Sequence, residues 1–242
     1  MSFSMFCAIP MPFHLWDSKC LNLVLPCFPL IGAFIGVLWW GIFKILTFSG
    51  IHTLLVAVVT MLTPFIASGF LHLDGYMDTS DAVLSRRPLE DRLRILKDPH
   101  PGSFAVIMLA VLFIVQFAAV YVIVEKRNYP ELFIVIPVVS RCCAAMSILC
   151  LKPMEQSGLA SMFRENTGTR HKIFVVFIFA VAAALSYFFA GIYGFIVVLT
   201  VMAVYAGAMA HVYKNLKGVS GDLAGYALVI SELAGLVVMA II

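Results

Sequence analysis

Residues 51–81 read IHTLLVAVVTMLTPFIASGFLHLDGYMDTSD, an apolar run that ends in three aspartates. A helix needs about 20 apolar residues to cross the hydrocarbon core of a bilayer, so this run predicts a transmembrane span. The acids Asp74, Asp78 and Asp81 follow it with a four-then-three spacing. Acids at the mouth of a spanning helix are costly and tend to be functional. The stretch therefore predicts a helical membrane protein with a site at the end of one span.

The whole chain has the composition of an integral membrane protein. Of its 242 residues, 62% are apolar and 12% are charged, and the mean hydropathy is +1.03. An ordinary soluble domain has about 25% charged residues. The apolar runs predict a single all-α domain, residues 1–242, built as a bundle of about seven transmembrane helices with a tight hairpin at Gly191. The predicted spans are Leu23–Phe43, Ile51–Leu71, Phe104–Val124, Leu132–Leu151, Ile173–Phe189, Ile192–Tyr213 and Leu223–Ile242.

The distribution of basic residues predicts how these spans are oriented. All Lys and Arg residues except Lys44, Lys126, Arg127 and Arg141 fall on one side of the membrane, together with the larger polar loops. Basic loops face the cytoplasm, so the N-terminus is predicted to be cytoplasmic. We expect an uncleaved N-terminal segment along the membrane surface. The protein is expected in the cytoplasmic (inner) membrane, with the acidic site facing the cytoplasm.

The three aspartates predict a metal site. If the helix continues past the bilayer edge, Asp74, Asp78 and Asp81 fall within about 60° of one another and repel. Oxygen ligands without a nearby cysteine favour Mg²⁺ or Mn²⁺, and such ions often complete their shell with substrate phosphates. Gly75 lets a phosphate or a neighbouring helix approach closely. The alternative is an acidic turn paired with the arginines that follow. His72 is a secondary candidate, because a lone histidine is more often a packing residue.

A basic segment follows on the same side. RRPLEDRLRILKDPHPG, residues 86–102, contains Arg92, Lys97, Asp98 and Gly102. Arg binds phosphates through its planar fork and Lys as a point charge. The alternative is a juxtamembrane segment that attracts anionic lipid. Lys97 and Asp98, next to His100 and Gly102, make this segment denser in catalytic residue types than anchoring requires, so Lys97, Asp98 and Gly102 are candidate site residues.

A third segment, KGVSGDLAGYALVISELAG, residues 217–235, begins the last span. Gly221 lies in a polar turn at a helix start, which is a natural place for an anion. Asp222 either caps this helix or joins the site. Glu232 lies deep in the span, where an unpaired carboxylate is expensive. We expect it to be protonated or paired with Arg141, and a purely structural pair is the alternative to a functional one.

These segments resemble the cobalamin synthase family, also called adenosylcobinamide-GDP ribazoletransferase. SGFLHLDGYMDTSDA is similar to the family's GGLHLDGLADTADG, KDPHPGSF to KDSRIGAF, and GVSGDLAGYALVISE to GVTGDVLGAAIELTE. SRCCAAM, SGLASMF and MFCAIPMP also resemble family segments, so the likeness covers nearly the whole chain in order. The chain departs from the family at Ala82, His100 and Val229, where glycine, arginine and an acid are usual. None of these departures touches the three aspartates.

The resemblance implies an activity and a set of site residues. A hydroxyl of α-ribazole, or of its 5′-phosphate, attacks adenosylcobinamide-GDP at phosphorus, GMP leaves, and adenosylcobalamin or its 5′-phosphate forms. Mg²⁺ is the implied cofactor, with Asp74, Asp78, Asp81 and Asp222 as its ligands. The implied catalytic residues are Asp74, Asp78, Asp81, His72 and Lys97, where the base is His72 or an aspartate not fully engaged by metal. The implied substrate-binding residues are Arg92, Asp98, Gly102, Arg141, Gly221 and Glu232.

Two other functions fit parts of the sequence. A CDP-alcohol phosphotransferase also uses spaced aspartates at a cytoplasmic helix end, but its Ala-Arg after DGxx is absent here. A transporter would use Glu232 and Arg141 as a coupling pair inside the bundle. The expected partners are adenosylcobinamide-GDP, α-ribazole or its phosphate, and membrane lipid, and no nucleic acid. The sequence leaves open the oligomeric state and the identity of the base that joins cobalt.

Overall fold

A computed structural model describes residues 1–9, 21–154, 158–165 and 167–242. These residues are mainly helical and contain no β-strand, and one isolated β-bridge joins Pro153 and Val219. The all-α prediction is confirmed. Part of the predicted surface segment, residues 10–20, lies outside the described chain. The helices are α1 (Ser2–Phe6), α2 (Leu21–Val24), α3 (Phe28–Phe48), α4 (Thr53–Ala67), α5 (Leu71–Leu84), α6 (Leu89–Ile95), α7 (Ser103–Lys126), α8 (Leu132–Cys150), α9 (Gly158–Glu165), α10 (Thr169–Leu216) and α11 (Gly221–Ile241).

The long helix α10 folds back on itself at Gly191, as predicted, where φ is 55° and ψ is −136°. Two contacts with α8 establish the reversal. The Sγ of Cys142 lies 3.7 Å from the carbonyl oxygen of Val175, and the hydroxyls of Ser147 and Tyr205 are 2.9 Å apart. A straight helix would separate Val175 from Tyr205 by about 45 Å. Their partners on α8 are only about 7.5 Å apart along the helix axis, so the two arms of α10 run side by side.

Five helices of the described chain are long and apolar enough to cross a membrane, and the bent pair of α4 and α5 raises that number to six. One of the five is α10, whose arms, residues 169–190 and 192–216, each have the length that a span requires. The helical membrane bundle is therefore confirmed. Counting both arms would give the predicted seven spans, and this number and the cytoplasmic N-terminus stay predictions.

The helix that carries the aspartates does not continue the direction of the helix before it. α4 and α5 meet at 89°, and Gly69 and Phe70 at the corner have φ angles of 63° and 60°. Glycine adopts positive φ without the strain that other residues incur, which explains its place at this corner. Residues 72–84 are helical as expected, but a straight continuation past the bilayer edge is wrong.

α5 lies across the end of the bundle at which α7 and α11 begin. The Tyr76 hydroxyl donates to the backbone carbonyl of Met108, near the start of α7, at 3.1 Å. The backbone of His72 lies 3.4 Å from the position that a Cβ on Gly225 would occupy. α5 has 14 residues, fewer than a helix needs to cross a bilayer. We therefore treat it as lying outside the spanning segments.

Two of the few basic residues predicted on the other side of the membrane, Lys44 and Lys126, lie at the end of the bundle opposite the aspartates. Lys126 Nζ donates to the backbone carbonyls of Ala240 and Ile241 at 2.8 and 3.1 Å, which satisfies the last turn of α11. Lys44, near the end of α3, forms a 3.7 Å ion pair with Glu131, just before α8. The helix connectivity thus separates these residues from the aspartates, as the predicted sidedness requires.

Close packing between α3 and α8 forms the centre of the bundle. A Cβ added to Gly36 would lie 2.7 Å from the Cα of Ile134, and one added to Gly32 would lie 2.5 Å from the carbonyl oxygen of Pro137. Small residues let membrane helices approach closely enough for such backbone contacts. These two glycines therefore set the distance between the helices.

Candidate active site

α5 crosses the start of α11 at Gly75. A Cβ added to Gly75 would lie 2.8 Å from both the Cα and the carbonyl oxygen of Asp222. Beside this contact, the rings of Tyr76 and Tyr226 stack with centroids 5.7 Å apart. The sequence indicated that either a phosphate or a neighbouring helix could approach Gly75 closely. In the structure, the neighbouring helix α11 lies against it. The crossing brings Asp222 next to the aspartates of α5.

The negative charges of four aspartates lie close enough to interact at this crossing. Burial and the charges of Asp74, Asp222 and Asp81 raise the pKa of Asp78 to about 6. Asp78 and Asp81 are half-buried, while Asp74 and Asp222 are exposed. Within the described chain, no Lys, Arg or His forms an ion pair with any of the four. The structure thus argues against the alternative in which these acids pair with the arginines that follow them.

Asp81 lies at the start of α7. A Cβ added to Gly102 would collide with both carboxylate oxygens of Asp81, so the absence of a side chain there leaves the space that Asp81 occupies. The start of a helix attracts negative charge, because its first N–H groups point outward. Gly102 therefore has a structural role beside Asp81, and its contact with substrate stays a prediction.

A cavity of about 460 Å³ lies beside the aspartates. Its volume falls in the range of small-molecule sites. Asp222 belongs both to the acidic cluster and to the cavity wall, so a molecule in the cavity would lie next to the acids. Three other residues predicted from the sequence, His72, Lys97 and Gly221, also line it. Among the described residues, the polar side chains of the wall are those of His72, Lys97, Ser220 and Asp222.

His72 is a buried polar residue of the cavity wall. Its side chain is 8% exposed, and its ring packs edge-on against Phe28 with centroids 5.6 Å apart. Its Nε2 is buried and has no hydrogen-bond partner in the described chain. Leaving a buried polar atom unpaired costs about 1–3 kcal/mol.

The pair predicted between Glu232 and Arg141 is present. Arg141 Nη1 donates to Glu232 Oε1 at 2.7 Å, and the Ser140 hydroxyl donates to the same oxygen at 2.7 Å. The guanidinium lies 5.7 Å from the centre of the Phe28 ring, whose residue lines the cavity. Arg141 and Glu232 themselves do not line it. This arrangement favours the structural alternative, and their contact with substrate stays a prediction.

Arg92 and Asp98 have local partners. Arg92 Nη1 donates to Asn215 Oδ1 at 2.7 Å, which ties α6 to the end of α10. Asp98 accepts a hydrogen bond from the backbone N–H of His100 at 3.0 Å and lies 3.0 Å from its ring Nδ1. These hydrogen bonds lower the pKa of Asp98. Neither residue lines the cavity, so their predicted roles in substrate binding stay predictions.

The chain matches the family described as cobalamin-5-phosphate synthase over residues 1–240. It belongs to this family. A relative from Clostridium perfringens strain SM101 is 38% identical over 242 residues, with 100% of this chain and 96% of the relative covered. A relative from Clostridium botulinum strain Alaska E43 is 36% identical, with 98% and 94% covered. One from Lachnoclostridium phytofermentans is 33% identical, with 98% and 91% covered.

All three relatives carry the name adenosylcobinamide-GDP ribazoletransferase. No solved structure matches the chain significantly. The resemblance to the cobalamin synthase family that the sequence motifs indicate is therefore confirmed. Membership in this family also weighs against the transporter and the CDP-alcohol phosphotransferase.

The acidic cluster of this family member suits a magnesium ion by the chemistry of its donors. In the described residues, no group of three His, Cys, Asp or Glu side chains is positioned to hold a metal ion. Mg²⁺ usually binds through one or two carboxylates, with waters and substrate phosphates as its other ligands, so a complete protein cage is not required. Unpaired carboxylates that repel one another fit such an ion.

Several residues that line the cavity were not predicted from the sequence. Met5 and Phe6 of α1 and Ala160 and Phe163 of α9 line it. These residues lie in MFCAIPMP and SGLASMF, two of the segments that resemble the family. Their resemblance to family segments was the signal in the sequence that could have identified these residues. Apolar side chains by themselves do not distinguish a cavity wall from a lipid-facing surface.

Proposed function

We propose that this protein is an adenosylcobinamide-GDP ribazoletransferase that joins adenosylcobinamide-GDP to α-ribazole or its 5′-phosphate and releases GMP. The observation that carries the proposal is the cluster of four aspartates without a cationic partner beside a cavity, in a chain of this family. In the reaction, a ribazole hydroxyl oxygen forms a bond to the phosphorus next to the corrinoid arm. The bond from that phosphorus to GMP breaks, and the hydroxyl proton passes to a base.

Asp78 is a suitable base for this proton. Its pKa of about 6 lies close to neutral pH, and a general base works best when its pKa is near the operating pH. His72 is the other candidate from the sequence. Lys97, at the cavity wall, would bind the leaving GMP as a point charge.

The same cluster, made of Asp74, Asp78, Asp81 and Asp222, would hold Mg²⁺, and the base would be an aspartate of the cluster that the ion does not engage. The bound ion would supply positive charge against the diphosphate as the phosphorus–oxygen bond breaks. We further propose that the site faces the cytoplasm in the inner membrane, because the basic loops lie on its side of the chain.

A transporter would need its ionisable pair to be accessible from a solute pathway. Arg141 is 1% exposed, and both its partner and Ser140 are buried with it. Neither residue of the pair lines the cavity, and the guanidinium of Arg141 lies 5.7 Å from the centre of the ring of Phe28, which does. These observations favour a transferase, in which the pair supports the wall of the site.

Chelation tests the metal. We expect purified protein to release GMP from adenosylcobinamide-GDP and α-ribazole with Mg²⁺, to lose this activity in EDTA, and to regain it when Mg²⁺ is added in excess. The reason is that four repelling carboxylates cannot by themselves stabilise the charge that develops on a diphosphate. GMP is quantified by chromatography. Full activity in EDTA would refute the metal while leaving the transferase intact, and no GMP under any condition would refute the transferase.

Gly75→Ala tests the crossing of α5 and α11. The new methyl group must displace the backbone of Asp222, so the aspartates of the two helices would shift relative to each other. Displacements of about 1 Å can cost about a hundredfold in rate. We therefore expect kcat to fall by tenfold to a hundredfold, measured as GMP release at saturating substrates.

Gly207→Ala is the matched control for this substitution. Gly207 lies in α10, and a Cβ added there has nothing within 4 Å. We expect wild-type kcat for this variant. Equal rates in the two variants would mean that the crossing does not position the site.

A further inference from the structure

We propose that the cavity beside the aspartates binds the aromatic base of the nucleophilic nucleoside, that His72 pairs with the unsubstituted nitrogen of that base, and that the apolar wall selects benzimidazole-type bases over purines. The inference rests on the proposed function, because it assigns one substrate of that reaction to a place in the fold. Neither the family description nor the names of the relatives assign this cavity.

The position of the cavity suits the base of the attacking substrate. The wall contains Asp222 and Lys97, which belong to the acidic cluster and to the basic segment that follows α5. A nucleoside whose base lies in the cavity would therefore have its sugar next to the aspartates, where a hydroxyl must lose its proton. The volume of about 460 Å³ admits a nucleoside. A corrinoid with its ring and amide side chains is too large to enter fully.

The composition of the wall favours a flat, apolar ligand. Aromatic rings from three different helices face the cavity, and most other lining side chains are aliphatic. Aromatic rings favour stacked or edge-on contact with a planar ligand. An exocyclic amino group, which a purine such as adenine has, would lose its hydration where it lies against the aliphatic and aromatic side chains, which cannot accept its hydrogen bonds. The three rings are those of Phe6, Phe28 and Phe163.

His72 supplies the polar contact that such a base needs. A base joined to ribose through one ring nitrogen keeps a second ring nitrogen, which accepts a hydrogen bond. A neutral imidazole carries one N–H donor, and the ring of His72 lines the cavity and has no hydrogen-bond partner in the described part of the chain. Pairing the two groups satisfies both. In this role His72 binds substrate, and the proton goes to another group.

The first test compares bases within one preparation of wild-type protein. We expect kcat/KM for the α-riboside of dimethylbenzimidazole to exceed that for the α-riboside of adenine by about tenfold to a hundredfold. The ratio is independent of the fraction of folded protein. Calorimetry with each nucleoside alone, without the corrinoid, should give the same order of affinity. Equal kcat/KM values and equal affinities for the two bases would overturn the inference and leave the transferase in place.

The second test fills the cavity. Ala144 of α8 lines it and is 1% exposed, so Ala144→Leu places three further carbon atoms inside. We expect KM for the benzimidazole riboside to rise at least tenfold while KM for adenosylcobinamide-GDP stays the same. Ala110→Leu, at an exposed position of α7, is the matched control and should change neither. An unchanged KM for the riboside in Ala144→Leu would overturn the inference. If this variant also loses a bound lipid, the cavity holds a lipid chain.

The third test separates recognition of the base from proton transfer. We expect His72→Phe to raise KM for the benzimidazole riboside about tenfold, with the pH profile of kcat unchanged. If His72 were the general base, kcat would fall and the profile would lose its ascending limb. That result would overturn the role assigned to His72. Absence of turnover by the wild-type protein, with nucleoside binding still measured, would refute the proposed function alone.

Discussion

Asp74→Asn is expected to lower kcat for GMP release by about a hundredfold to a thousandfold. The substitution keeps the shape of the side chain and removes its charge. The Mg²⁺ proposed for this cluster would then lose a charged ligand, and that ion is what would neutralise the diphosphate. KM for α-ribazole should change little, because the proposed place of its base is the cavity and not Asp74.

The same substitution should not destabilise the fold. Asp74 is exposed, it raises the pKa of Asp78 by repulsion, and it has no ion-pair partner in the described residues. Removing its charge therefore relieves repulsion, and we expect an equal or higher Tm in detergent. Loss of activity together with gain of stability is typical of a residue kept for function.

Asp91→Asn is the matched control. Asp91 lies in the first turn of α6, outside the cluster that acts on Asp78. We expect wild-type kcat. A wild-type rate in Asp74→Asn, or a similar loss in both variants, would contradict the assignment of the acidic cluster as the reaction centre.

The features that follow from charge and spacing could be predicted from the sequence. Asp74, Asp78 and Asp81 share a helix because their spacing follows the helical period. Glu232 pairs with Arg141 because a buried carboxylate requires a partner and Arg141 was the basic residue inside a span. In both cases the cost of an isolated charge near or within a membrane leaves few arrangements.

The features that depend on tertiary packing could not be predicted. Apolar residues continue through the corner at Gly69 and Phe70, so hydropathy gives no sign of the 89° turn between α4 and α5. Leu71 to Leu84 then pack across two other helices, which local sequence does not encode. The cavity is hidden for a related reason. In a membrane protein, side chains such as Phe163 and Ala144 can face lipid, a helix or a ligand with the same composition.

The buried pair of Arg141 and Glu232 gives the largest expected effect on stability. Removing one partner of a buried ion pair costs about 3–5 kcal/mol, because the other charge is left uncompensated. The two single substitutions should nevertheless differ. After Arg141→Met, the carboxyl group of Glu232 can take up a proton and become neutral, with Ser140 still beside it. After Glu232→Leu, the guanidinium of Arg141 stays charged, because arginine is not deprotonated in proteins.

We therefore expect Glu232→Leu to lower Tm more than Arg141→Met, by roughly 10 °C for Glu232→Leu in a chain of this size. The double variant should recover most of the loss, because two apolar side chains replace two charges. Tm is followed by size-exclusion chromatography after heating in detergent. The partly exposed pair of Lys44 and Glu131, 3.7 Å apart with about a third of each side chain accessible, is the control. Lys44→Met should shift Tm little, since exposed pairs contribute about 0–1 kcal/mol.

This series also tests whether the buried pair acts in the reaction or supports the site. A supporting pair predicts that the double variant regains both Tm and GMP release, since Phe28 can again pack beside these two positions at the cavity wall. A pair that binds substrate predicts that Tm returns while the rate stays low. The position of both residues behind the cavity wall favours the first result. Recovery of Tm without recovery of rate would give Arg141 and Glu232 the substrate-binding role that the sequence resemblance implies.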